Sequence, residues 1–125
     1  MVRKPVFAFL MILAVVLSNT ISLAGQPKLA QAVYLTMTQA CGCILDRCKA
    51  GDWVVEKVFE GPKQGLLLRI DYSTEKPKAL EYIKKYRIAM APAIIFLDAQ
   101  GSELWRAMGE LDLNQVQGKL REFGG

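Results

Sequence analysis

The chain has 125 residues, enough for one domain, and 52% of them are hydrophobic, which permits a real core and argues against disorder. The formal charge of +4 includes Arg3 and Lys4 near the N-terminus, and the other charges are interspersed, so neither a nucleic-acid partner nor an anionic membrane surface is expected. There is no histidine, which excludes Ser-His-Asp and Cys-His catalysis and any metal site built on imidazole; no Gly-rich phosphate loop stands out, and no cofactor is expected.

Residues 1–24 read as a signal peptide. Arg3 and Lys4 are a positive start, Val6 to Leu17 is an uncharged apolar run, and Ser22-Leu23-Ala24 supplies small residues for cleavage before Gly25. A domain of residues 25–125 would then be exported, to the periplasm if the bacterial character of the signal holds. The alternative is a membrane anchor left uncleaved. The run is short for a span and is interrupted by Ser18, Asn19 and Thr20. Export places the cysteines where disulfides persist.

After a polar lead-in, Val33 to Thr38 alternates apolar and polar side chains, so the first strand is expected over Ala32–Thr38. Past a cysteine-rich window, Val54, Val55, Val58 and Phe59 share one helical face. Gly51 and Asp52 leave two readings of the region open: a kinked helix from Cys43 to Phe59, or a turn followed by a helix capped by Asp52. Gly61 to Gly65 reads as a loop. Leu66 to Tyr72 is a nearly continuous apolar run, which suits a central strand covered on both faces. Pro77 fits the first turn of a helix whose buried stripe is Leu80, Ile83 and Tyr86. Ala93–Asp98 and Glu103–Met108 read as an antiparallel pair joined through Ala99-Gln100-Gly101. Asp112 or Asn114 starts a last helix with Leu113, Val116, Leu120 and Phe123 inward. Trp53 and Trp105 are expected in core or edge packing. The order is β-α-β-α-β-β-α, an α/β fold with a mixed central sheet flanked by helices.

All three cysteines, Cys41, Cys43 and Cys48, fall in one short window where the first strand hands over to a helix. Unpaired N–H groups at a helix start favour a thiolate, the form that attacks disulfides and binds soft metals.

Three features together resemble the thioredoxin-like superfamily. They are Cys41-Gly42-Cys43 after the first strand, a strand ending in Ile70-Asp71, and the run from Tyr86 through Ala91-Pro92 to Leu97. The resemblance covers about Ala32 to Phe123. It implies a thioredoxin-like fold in which Pro92 is cis and faces the cysteine loop, with Ala91 offering backbone groups to a substrate peptide. Read without the resemblance, Pro92 is equally an ordinary trans proline opening a strand. The chain also departs from the family. Ile44 stands where the second cysteine of Cys-x-x-Cys would be, Leu35 replaces a buried acid, Ala40 replaces a tryptophan, and an early strand and helix are missing.

Three uses of the cysteines follow. In the first, Cys41 is the nucleophile and Cys43 the resolving thiol of an exported thiol–disulfide oxidoreductase, with Cys48 as an accessory thiol. Its partners would be protein thiols or disulfides, with a membrane-bound redox partner as a further candidate. The domain is expected to be a monomer outside the membrane. A disulfide across one residue closes a small, strained ring, and Gly42 is the residue best able to supply the backbone it needs. In the second, Cys41, Cys43 and Cys48 form a trithiolate for a soft metal or metalloid; zinc would want a fourth ligand such as Asp46 or Asp52. In the third, one disulfide is structural and one cysteine is buried and free. Arg47 and Lys49 either support thiolates or are plain surface charges.

Overall fold

The computed structural model describes residues 27–124, and the expected signal segment lies outside them. The strands are β1 (Gln31–Thr36), β2 (Leu67–Asp71), β3 (Ala93–Leu97) and β4 (Glu103–Met108), and the helices are α1 (Gly42–Val58), α2 (Lys76–Tyr86) and α3 (Leu113–Glu122). The sheet order is β2-β1-β3-β4. β1 and β2 are parallel, linked by α1, while β1–β3 and β3–β4 are antiparallel. The element order and mixed sheet are those the sequence suggests.

Strand alternation divides the core in two. From β1, Ala32 and Tyr34 face α1 and α3, with Ile94 and Phe96 of β3 beside them; Val54, Val55, Phe59, Val116 and Leu120 close that layer. Val33 and Leu35, with Ala93, Ile95 and Leu97, face α2 and its Ala79, Tyr82 and Ile83. In the first layer Phe96 meets Trp105 edge-on, with ring centroids 5.2 Å apart, and Phe59 at 6.3 Å. Such pairs add about 0.5–1.5 kcal/mol each beyond the area they bury. Asp112 caps α3 by accepting the Gln115 N–H at 2.7 Å. At the other end of α2, Arg87 is left-handed (φ 51°), and the Arg106 guanidinium donates to the carbonyls of Tyr86 and Arg87 at 2.6 and 3.3 Å.

The strand expected to be central lies at an edge of the sheet. β2 is an edge strand whose only fully buried residue is Ile70, whereas β1 is central and buried from Ala32 to Thr36. The alternation in β1 is therefore internal: its polar side chains, Tyr34 and Thr36, turn toward α1 rather than toward water. Of the two readings around Gly51, the turn followed by a new helix from Asp52 does not form; one helix, α1, runs for 17 residues from Gly42 to Val58. Gly61–Leu66 is a 3-10 turn rather than an irregular loop. Trp53 is 51% exposed, so only Trp105 of the two tryptophans packs on the core.

Gly51 explains how an unbroken helix sits so close to the sheet. A Cβ there would lie 2.7 Å from the Tyr34 hydroxyl oxygen and 3.1 Å from both Cβ and Cγ of Pro92. The glycine is thus a seat for two side chains rather than a hinge. Glycine in a helix interior ordinarily costs about 1 kcal/mol against alanine. Gly118 in α3 has open space within 4 Å. We expect G118A to stabilise the protein by about 0.5–1 kcal/mol and G51A to destabilise it by about 1–3 kcal/mol through overpacking. Urea unfolding of the pair measures both signs.

Candidate active site

Cys41 is the N-cap of α1 (φ −63°, ψ 155°), and its carbonyl accepts the Leu45 N–H at 3.0 Å. No side chain caps this helix start and no acidic residue lies in the first turn. Cys43 follows within that turn. The two sulfurs are 3.9 Å apart, and both residues are exposed. To bond, they must close to about 2.05 Å, a shift that a terminal helical turn can absorb. Gly42 lies within α1 without a positive φ, and a Cβ there would touch nothing within 4 Å. Its contribution in this state is open space over the pair rather than an unusual backbone.

Cys48 is separate. It is fully buried on the inner face of α1, where its carbonyl accepts from the Tyr34 hydroxyl at 3.2 Å. Among the described residues no three Cys, Asp or Glu side chains converge as metal ligands. The structure therefore brings together Cys41 and Cys43 but not the three sulfurs. Asp46 is exposed beside Arg47, and Asp52 is occupied elsewhere.

The Ala91–Pro92 peptide bond is cis. Pro92 is buried, its ring lies against Gly51, and its carbonyl accepts the Gly109 N–H at 2.8 Å. Gly51 is about 12–15 Å of helix rise beyond the cysteine pair. The ring thus seats on α1 one turn past Cys48. Ala91 is half-buried and lines an apolar recess of about 140 Å³ with Leu35, Met37, Tyr72, Ile88 and Met90. A second recess, of about 370 Å³, is charged and lies between α1 and the β4–α3 connection, lined by Asp46, Arg47, Ala50, Glu110 and Leu111.

Two polar clusters escaped the sequence reading. Asp52, only 21% exposed, accepts from the Tyr34 hydroxyl at 2.7 Å, the Thr36 hydroxyl at 2.8 Å and the Arg69 guanidinium at 2.9 Å. Burial first, then the neighbouring carboxylate, push the Tyr34 phenol far up, so it stays protonated and donates, even against the lowering effect of Thr36. Two polar residues at alternate positions on an apolar strand could have signalled an internal acceptor. The second cluster, around Asp71 and Ser73, binds the segment just before Cys41; an Asp-x-Ser at a strand end is a turn signature.

No protein-family model and no curated protein sequence matches the chain. Solved structures do. The C-terminal domain of Neisseria meningitidis DsbD in its reduced form superposes with a TM-score of 0.56 at 14% identity, over 81% of this chain and 86% of that one. A thioredoxin from Malassezia sympodialis gives 0.54 at 18% identity, over 77% and 80%. A thioredoxin from Aeropyrum pernix gives 0.54 at 13%, over 74% and 73%. The chain has a thioredoxin-like fold. Within this thioredoxin-like frame the cysteine pair occupies the start of α1, after the first described strand, as the resemblance implies.

Asp71 also makes the domain sensitive to acid. Burial is the largest single influence and raises its carboxyl, but the Thr38 hydroxyl, the N–H groups of Ser73 and Thr38, and the Thr74 side chain together outweigh it and hold it below the usual carboxylate range. A carboxylate depressed on folding contributes stability above its unfolded value, about 3.9, and that contribution is lost as pH falls through the lower folded value. In urea titrations, the stability gap between wild type and D71A should be constant at neutral pH and narrow below about pH 4. A gap that widens in acid would contradict this sign.

Proposed function

We propose that this chain is an exported thiol–disulfide oxidoreductase acting on protein thiols or disulfides through Cys41 and Cys43. One observation carries the reading: two exposed sulfurs 3.9 Å apart at an uncapped helix start, on a thioredoxin-like fold. In the reducing direction, the Cys41 thiolate attacks one sulfur of a substrate disulfide. A Cys41–substrate bond forms, and the other substrate sulfur leaves as a thiolate and takes up a proton. Cys43, losing its proton, then attacks the Cys41 sulfur and releases the second substrate thiol. The substrate gains two electrons and two protons, and Cys41–Cys43 becomes a disulfide. Run backwards, the same steps oxidise a substrate dithiol. A redox partner, for which a membrane-bound protein is one candidate, resets the pair.

The fold supports this reading, and the burial of Cys48 speaks against the trithiolate alternative, which would require that sulfur to leave the core. Buried Pro92 supports the site by seating α1, while half-buried Ala91 remains the segment that a substrate peptide would meet. Among the described residues no helix is long and apolar enough to cross a membrane.

The deciding experiment equilibrates the domain from Gly25 onward in glutathione buffers of graded potential, alkylates free thiols and maps them by mass spectrometry. Reversible switching of Cys41–Cys43 is expected. C43S should accumulate the Cys41–glutathione mixed disulfide and C41S should not exchange. C48S should keep the switch while losing about 1–3 kcal/mol of stability, because it buries a hydroxyl. Thiols that resist alkylation until a chelator is added would replace the redox reading by metal binding.

Export has its own check. The N-terminus of the protein recovered from the periplasm of a bacterial host should be Gly25. Recovery only from the membrane fraction with residues 1–24 attached would favour the anchor.

A further inference from the structure

The structure assigns Asp71 and Ser73 as positioning residues for the Cys41–Cys43 pair, acting through the segment that enters α1. This assignment rests on the dithiol reading above. β1 and β2 run parallel and end level, with Thr36 paired to Asp71 and the Thr36 carbonyl accepting the Tyr72 N–H at 2.9 Å. Beyond Thr36 the chain leaves the sheet and must span five residues before α1 begins. Sheet hydrogen bonds no longer hold it there. Side chains from the β2–α2 turn take over. The Asp71 carboxylate accepts the Thr38 hydroxyl at 2.6 Å on one oxygen; on the other it accepts the Thr38 N–H at 3.2 Å and the Ser73 N–H at 2.9 Å. The Ser73 hydroxyl oxygen accepts the Gln39 N–H at 3.0 Å, lies 3.2 Å from the Thr38 nitrogen, and donates to the Gln39 carbonyl at 3.1 Å. Backbone bonds from Thr74 and Glu75 to the Asp71 carbonyl, and from the Asp71 N–H to the Glu75 carboxylate, fix the turn itself.

Both polar backbone groups of Gln39 and the amide and hydroxyl of Thr38 are thus tied to one turn, two residues before the nucleophile. At the helix start itself Cys41 is held only by backbone, its carbonyl accepting the Leu45 N–H, since no side chain caps it. The closeness of two sulfurs sets how readily they close into a disulfide rather than remaining mixed with glutathione. The clamp fixes the Cys41 end of that distance, and α1, anchored by Asp52 and Gly51, fixes the Cys43 end.

The test compares clamp variants with a matched control. Asp98 makes a similar turn in the β3–β4 hairpin, accepting from Gln100 and Ser102 N–H at 2.9 Å each, with no bond to the cysteine segment. The equilibrium constant for closing Cys41–Cys43 with glutathione should fall roughly tenfold in D71A, from the loss of charge-assisted hydrogen bonds. It should fall only about two- to threefold in D71N, whose amide can still accept the two N–H groups and donate to Thr38. D98A should leave it unchanged although it also loses stability. A D71A constant no further from wild type than that of D98A overturns the assignment. Failure of the wild-type pair to close at any potential would sink the oxidoreductase reading instead. The clamp is then decided on the reduced protein, where amide exchange at Thr38 and Gln39 and alkylation of Cys41 should accelerate in D71A and S73A but not in D98A. Equal rates in all four proteins would overturn it.

Discussion

The domain depends on one carboxylate placed between a helix and a sheet. Asp52 accepts hydrogen bonds from Tyr34 and Thr36 of β1 and from Arg69 of β2, and so joins the central strand, the edge strand and α1 at one point. Without an acceptor there, two hydroxyls on a fully buried strand would be left unpaired, at about 1–3 kcal/mol each. With it, β1 can run through the middle of the sheet while keeping two polar side chains. Among the described residues no buried side-chain nitrogen or oxygen lacks a partner. Arg69, partly exposed, also lies 6.0 Å from the centroid of the Tyr34 ring.

That anchoring separates two parts of α1. Its C-terminal part, from Cys48 to Phe59, is the side of a core, with Gly51 admitting Tyr34 and Pro92 and with Val54, Val55, Val58 and Phe59 filling the layer against α3. Its first turn projects beyond this and carries the exposed sulfur pair. The thiol in the anchored part, Cys48, is a small hydrophobe in a core. The three cysteines, close in sequence, are therefore divided by helix geometry into an exposed pair and a buried residue.

The cis Ala91–Pro92 turn joins the same arrangement from the other side. Its ring rests on Gly51, its carbonyl holds the N–H of Gly109, and the residues before it line the apolar recess. Pro92 thus packs on the helix that carries the sulfurs, while Ala91 is half-buried at the recess.

Much of this was legible in the residues. The antiparallel pair formed by β3 and β4, the Asp112 cap, the inward stripes of α1 and α3, and the position of the cysteines at a helix start are local properties: periodicity, turn chemistry and capping act over a few residues and leave marks in them. The edge position of β2 and the burial of β1 were not legible, because alternation shows that a strand has two unlike faces but not whether the polar one meets water or a part-buried carboxylate from 16 residues away. Likewise, Gly51 reads locally as a helix breaker; only the approach of Tyr34 and Pro92, distant in the chain, turns it into a packing site. Cys48 and the Asp71–Ser73 clamp follow the same logic. Sequence spacing grouped three cysteines and left Asp71 as the end of a strand, and the tertiary structure alone decided which sulfur is buried and which turn holds the segment before Cys41, because burial and cross-strand hydrogen bonds are set by contacts between segments that no local pattern encodes.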